Sequence, residues 1–224
     1  MTAVPQARPN AGNARRRGPL TLGRGSLIAL VVVIAAMLAT TTYRSDSQAA
    51  PGQAAKFDAA KYGADTYKSK VVPAIRKNAV DIVTLQKALA ADSDAAGKKY
   101  GHRDGTGLYS FAVTFTGTAG KATSGILPIT VPGISKARVS VQIGPAINGT
   151  ALRDAVGFIK FGQFVNQVDY ADAGTALNNQ MKAAVLAHLN VASLQGKKVT
   201  VIGATSPLTA DLLTVTPISI EPTP

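Results

Sequence analysis

At 224 residues, 46% hydrophobic and 16% charged, the chain carries enough apolar material for one packed domain with appendages. The absence of cysteine excludes disulfides, thiolate metal sites, a cysteine nucleophile and a lipid on an N-terminal cysteine. Of 24 basic residues, five precede the long apolar stretch and none of the 12 acids does, which leaves 19 against 12, a moderate net +7 that bears on association and not on chemistry.

Residues 1–19 are rich in Ala, Arg, Pro, Gly and Asn and read as a disordered basic tail. Residues 20–43 contain one charge, Arg24, around the uninterrupted apolar run Leu27 to Ala39, enough to cross a hydrocarbon layer of ~20 residues. Arg8, Arg15, Arg16, Arg17 and Arg24 before it place the N-terminus in the cytoplasm and the C-terminal portion outside, as a single-pass cell-membrane protein. A secretory signal cleaved after Ala49 is the alternative and would leave a secreted or periplasmic domain. Both readings export the remainder, across a small, polar linker at residues 44–55.

A helical subdomain is expected over residues 56–100. Phe57, Ala60, Ala64, Tyr67 and Val71 recur on one helical face until Pro73 ends or kinks it. Asp81 then caps a second helix with Ile82, Leu85 and Leu89 on its stripe, finishing around Gly97. The loop Lys98 to Gly107 comes next, with Arg103 paired to an acid. Its His-Arg-Asp triplet lacks every companion of a kinase catalytic loop.

Beyond the loop the period changes to two. Tyr109, Phe111, Val113 and Phe115 alternate with small polar residues in a half-buried first strand. Leu127, Ile129 and Val131 mark a second, in which Pro128 indicates an edge or a bulge, and Val139, Val141 and Ile143 a third that ends near Ile147. A helical insert over 150–192 begins at the cap Thr150. Phe161, Phe164, Val165 and Val168 are expected to share a face, and Leu177, Met181, Val185 and Leu189 to form an unbroken stripe, with His188 at the helix end. Strands over 197–202 and 212–220 complete the chain. Five short strands bury their apolar faces best by closing, so the fold class is α+β: a five-stranded OB-like barrel over 101–220, with a helical insert between the third and fourth strands, preceded by a helical pair and an N-terminal transmembrane helix.

The segments "KFDAAKYGADTYKSKVVPAIRKNAVDI", "DAAGKKYGHRDGTGLYSF" and above all "IGPAINGTALRDAVGFIKFGQFVNQVDYADAGTALN" resemble a bacterial family of predicted periplasmic lipoproteins of unknown function. The resemblance implies an OB-like barrel joined to a helical part, an envelope location and genes near sugar ABC transporters, and it brings no catalytic residue. The lipid-attachment cysteine of such proteins is missing here, and the apolar span replaces it.

Candidate ligand-binding residues are Arg103, Arg153, Asp154, Asn166, Gln167 and Asp169, since a guanidinium fork beside amides and carboxylates suits a sugar or other polyol. The same residues also read as a turn, a cap and buried-backbone partners at the corner where the insert meets the barrel. Two distant histidines and one glutamate, Glu221, predict no metal site, no cofactor and no enzyme. The first strand's aromatics point inward and the next two strands have none, so nucleic acid is not an expected partner, and Asn148-Gly149-Thr150 reads as a turn and not as a glycosylation site. The expectation is a membrane-anchored extracytoplasmic binding or accessory module, with a transporter component or a small polar ligand as partner. The alternatives are a structural docking protein without a pocket, and a hydrolase acting through Asp154 or Asp169.

Overall fold

Residues 30–37 and 56–223 are described in this computed structural model. The chain divides into two units, 1–56 and 57–224, of which the first shows a helix over 30–37. No helix among the described residues is long and apolar enough to cross a membrane. The expected tail, the linker and both flanks of the apolar span, 20–29 and 38–43, lie outside the described residues.

In the second unit Asp58 accepts a hydrogen bond from the Lys61 amide at 2.9 Å and starts helix α1, Ala59–Thr66. A π-helical turn, Tyr67–Val71, leads into α2, Val72–Asn78. Pro73 stands in the first turn of α2, where its missing N–H costs little, so the proline displaces the kink upstream and does not stop the helix. The buried face of the pair is Gly63, Thr66, Tyr67, Val71 and Ile75, while the expected Ala60 and Ala64 are exposed. Gly63 sets this rotation, because a Cβ there would stand 3.0 Å from Ala176 of the helix packed across it.

Asp81 caps α3, Ile82–Ala91, as expected, by accepting from the Thr84 amide at 2.9 Å, and Ile82, Leu85 and Leu89 are its buried residues. The helix ends before Gly97. Asp92 turns extended and its carboxylate accepts from the amides of Asp94 and Ala95, so a separate α4, Ser93–Tyr100, begins there. Gly97 sits inside α4 under the Tyr109 ring, which a Cβ would strike at 2.2 Å.

Seven strands among the described residues form one sheet. The short β1, Val80–Asp81, and β2, Gly101–His102, flank β3, Ser110–Ala119, and the others are β4, Ile126–Thr130, β5, Arg138–Gln142, β6, Lys198–Thr205, and β7, Leu212–Pro222. The order β3-β4-β5-β7-β6 closes on itself, because β3 pairs antiparallel with β6 from Phe111↔Thr205 to Thr118↔Lys198. Only β5 and β7 run parallel within this ring, the arrangement of a five-stranded OB barrel. Pro128 is accommodated because β4 is laddered to β5 from Ile126 to Ile129 but meets β3 only at Ile129 and Thr130. The third strand stops at Gln142, short of Ile147, where Gly144 takes a positive φ of 81° and turns the chain.

The insert between β5 and β6 holds α5, Ala151–Asp154, and α6, Gln167–Ala184, with short 3-10 turns at Phe161–Gln163, Leu186–His188 and Val191–Leu194. Phe161, Phe164, Val165 and Val168 do not make a helical face. The Asn166 side-chain oxygen accepts from the Asp169 amide, so α6 starts only at Gln167 and leaves Val165 and Val168 exposed. The stripe from Leu177 through Met181 is buried, but the helix ends at Ala184, and Leu189 falls beyond a 3-10 turn that also carries His188.

Two cores result. Inside the barrel, Phe111, Val113, Phe115, Leu127, Val141, Val201, Leu213 and Val215 pack with Ile82 and Leu85 of α3. Outside it, Ala112, Ala204 and Ile218 of the strands pack with Tyr67, Val71, Ile75, Leu152, Leu177 and Met181 of the helices. The first strand is therefore buried on both faces along its first half and not half-buried as its alternation indicated.

Candidate functional site

The helices cover only part of the barrel's outer face. Successive strand residues point to opposite sides, so with Val141, Leu213 and Val215 inside, Gln142, Thr214 and Thr216 face outward. These three, with Ser110 at the start of β3 and Ser206 just past β6, form the polar floor of a cavity of about 610 Å³. Asp104, Gly107 and Leu108 wall it on one side, and Thr150, Arg153, Asp154 and Tyr170 on the other.

The floor is linked internally but not saturated. Ser110 and Ser206 hydroxyls lie 2.6 Å apart, and Thr214 Oγ1 lies 3.3 Å from Ser140 Oγ. Gln142 is buried. Its Nε2 donates to Thr216 Oγ1 at 2.9 Å and to the Asn148 carbonyl at 3.0 Å, while its Oε1 accepts from the Asn148 amide at 2.8 Å. Gln142 thus continues the ladder of β5 through its side chain and pins the Asn148-Gly149 turn. A hydroxyl offers one donor and two lone pairs, so these bonds leave each Ser and Thr of the floor with hydrogen-bonding capacity to spare.

The opposite wall is a tightly satisfied cluster. Arg153 is buried, with its Nε 2.7 Å and Nη2 3.2 Å from the two carboxylate oxygens of its neighbour Asp154, and its Nη1 donates to the Tyr170 carbonyl at 2.8 Å. Its guanidinium lies 3.5 Å from the Tyr170 ring centroid. Asp154 also accepts from Thr150 Oγ1 at 2.6 Å and from the Tyr170 hydroxyl at 3.3 Å. Thr150 thus precedes α5 as expected but spends its hydroxyl on Asp154. Asn178 donates to the Gly149 carbonyl at 2.9 Å, fixing the turn to α6.

Burial, and after it the Asp154 carboxylate, pushes the Tyr170 hydroxyl up to about 12. The neutral phenol is therefore favoured by folding, and the stability it supplies is complete below the ordinary value of 10.0 and lost as pH rises through 12. Alkaline titration followed by tyrosinate absorbance is expected to show Tyr170 ionising late, and Y170F to remove one late phenol. Tyr67, whose burial drives it higher still, would remain in that variant.

The six candidate residues do not converge. Arg153 and Asp154 line the cavity. Asn166 and Asp169 bond to each other at the start of α6, Gln167 beside them is exposed, and none of the three lines the cavity. Arg103 makes no ion pair among the described residues; its guanidinium lies 4.2 Å from the Tyr109 ring centroid. Asp104 next to it accepts from the Phe161 amide at 2.7 Å and reaches the cavity. The floor residues Gln142, Thr214 and Thr216 were legible only as the outward half of each alternation, the half that a search for a core passes over, and Ser206 fell in the connection after the fourth expected strand. No group of three His, Asp or Glu side chains that could hold a metal ion occurs among the described residues.

A family model described as "Predicted periplasmic lipoprotein (DUF2291)" matches residues 28–221. Among solved structures, the chain is similar to an OB-fold protein from Thermotoga maritima, with 17% identity, a TM-score of 0.60, and coverage of 75% of this chain and 99% of that one. At that identity the likeness concerns the fold alone. Comparison with curated proteins gives no match.

Proposed function

Because the chain belongs to the family of predicted periplasmic lipoproteins, we propose that it is a non-enzymatic, membrane-anchored extracytoplasmic module that binds a small hydroxyl-rich ligand, a sugar or other polyol, in the cavity on the barrel's outer face. Residues 20–43 serve as the anchor in place of the lipid, since the sequence has no cysteine to acylate. The observation that supports a ligand is the floor itself. Ser110, Gln142, Ser206, Thr214 and Thr216 gather around an open cavity, where their hydroxyl and amide groups meet the hydroxyls of a polyol. In this reading Arg153 and Asp154 shape the wall, and the ligand's hydroxyls exchange hydrogen bonds with the strand hydroxyls and Asp104. Delivery of that ligand to a sugar ABC transporter is the accompanying role.

Calorimetric titration of the full chain against a panel of neutral sugars and polyols tests the reading. At least one is expected to bind, and T214V and S206A are each expected to weaken it by about tenfold, the loss of one hydrogen bond worth ~1.4 kcal/mol. No heat and no thermal shift with any member would leave the docking role without a ligand. A reporter fused after Pro224 that is active only in the cytoplasm would remove the exported location.

A further inference from the structure

The second unit exposes seven large apolar side chains among its described residues, and four of them, Phe158, Phe161, Val165 and Val168, fall within one segment of eleven residues. Val165 is 79% exposed and Val168 66%. This segment is not a stray loop. Phe161 packs on Tyr170 at 5.7 Å between centroids, Tyr170 on Phe164 at 5.3 Å, and Phe164 on Phe57 at 5.4 Å and Tyr62 at 5.6 Å, a continuous set of rings that holds the segment in place. Phe57 is the first residue of the unit. Phe161, one of the four, is therefore joined through Tyr170 and Phe164 to Phe57, where the chain enters the barrel-bearing unit.

We infer that the surface formed by Phe158, Phe161, Val165 and Val168 docks on the lipid bilayer itself. The inference rests on the anchored reading of residues 20–43. The thirteen residues from Arg44 to Lys56 span at most ~45 Å, which sets an upper limit on how far Phe57 can move from the end of the anchor and keeps the local concentration of lipid high. Aromatic and aliphatic side chains tethered within reach of lipid partition into its interfacial layer at a lower entropic cost than those of a free protein. Lys160 within the segment is offset by Asp169 and Asp172 beside it, which leaves no net basic charge to attract anionic headgroups, so the contact is apolar and does not depend on lipid charge. Tyr170 belongs both to this ring set and to the cavity wall, which places the cavity beside the docked surface.

The chain has no cysteine, so one introduced cysteine carries one probe. Full-length V165C and V168C, labelled with an environment-sensitive fluorophore and reconstituted in zwitterionic vesicles, are expected to shift to the blue and to be quenched about twofold by lipids brominated near the headgroup, in low and high salt alike. L208C, 84% exposed between β6 and β7, is expected to keep an aqueous spectrum. If the chain floats with the vesicles after an alkaline wash but the Val165 and Val168 probes stay aqueous, docking is overturned and the anchor stands. A blue shift without quenching by the brominated lipids means that protein covers the surface, and it also overturns docking. A chain that fails to float overturns the anchored reading, and with it the reason for docking.

Discussion

Replacing Arg153 with methionine is expected to lower stability by on the order of 3 kcal/mol, the cost of removing one partner from a buried ion pair. The Arg153 and Asp154 side chains are 9% and 19% exposed, so water does little to replace the lost partner. The substitution also strips the Tyr170 carbonyl of its side-chain donor and the Tyr170 ring of its stacked cation. Asp154 would keep the Thr150 and Tyr170 hydroxyls, which holds the loss toward the lower end of the range for such pairs. At roughly 2–4 °C per kcal/mol for a unit of this size, the melting temperature should fall by about 10 °C. R153M/D154N removes the stranded charge and should recover part of the loss. Strict additivity of the two single changes in thermal unfolding would mean that the pair is not a unit. The result also bears on function: if sugar binding survives in R153M at temperatures where it remains folded, the floor holds the ligand and the arginine holds the wall.

The division between wall and floor shows what could be read in the chain. Alternation at Phe111, Val113 and Phe115, and again at Val139 and Val141, marked the interior of the barrel, because one face of each strand must be apolar for the ring to close. The order of three strands, a helical insert and two strands then pointed to the OB arrangement. Helix rotation and helix ends were less visible. Gly63 is buried by the approach of α6, a tertiary event that ranks a glycine above the alanines on either side of it. Asp92 and Asn166 start helices through side-chain hydrogen bonds that the apolar period does not register. All the candidate residues but Arg103 were gathered from one stretch of chain, whereas the cavity draws on Asp104, Ser110, Gln142, Tyr170, Ser206 and Thr216, spread over more than a hundred positions. Only closure of the barrel brings them together.

That closure makes β3 the most exacting strand, and neighbouring residues on it should fail for opposite reasons. Phe111 is buried inside the barrel, with its ring lying over Gly101, where a Cβ would come within 2.7 Å of it. F111A is expected to cost roughly 3–5 kcal/mol by leaving a void that strands tied on both sides cannot collapse to fill. Ala112, one position along, faces the helices against Ala204 and Ile218. Nothing needs to be lost there for harm to result: A112L adds three carbons to a filled layer and should cost about 1–3 kcal/mol through displaced helices. The two are distinguishable in denaturant unfolding combined with hydrogen exchange. F111A should speed exchange across the β3–β6 ladder, which runs from Phe111 to Thr118. A112L should speed it first in α1, α2 and α6 while the barrel stays protected. If both changes weaken the same amides, the two cores behave as one cooperative layer, and the helices are as necessary to the barrel as its own strands.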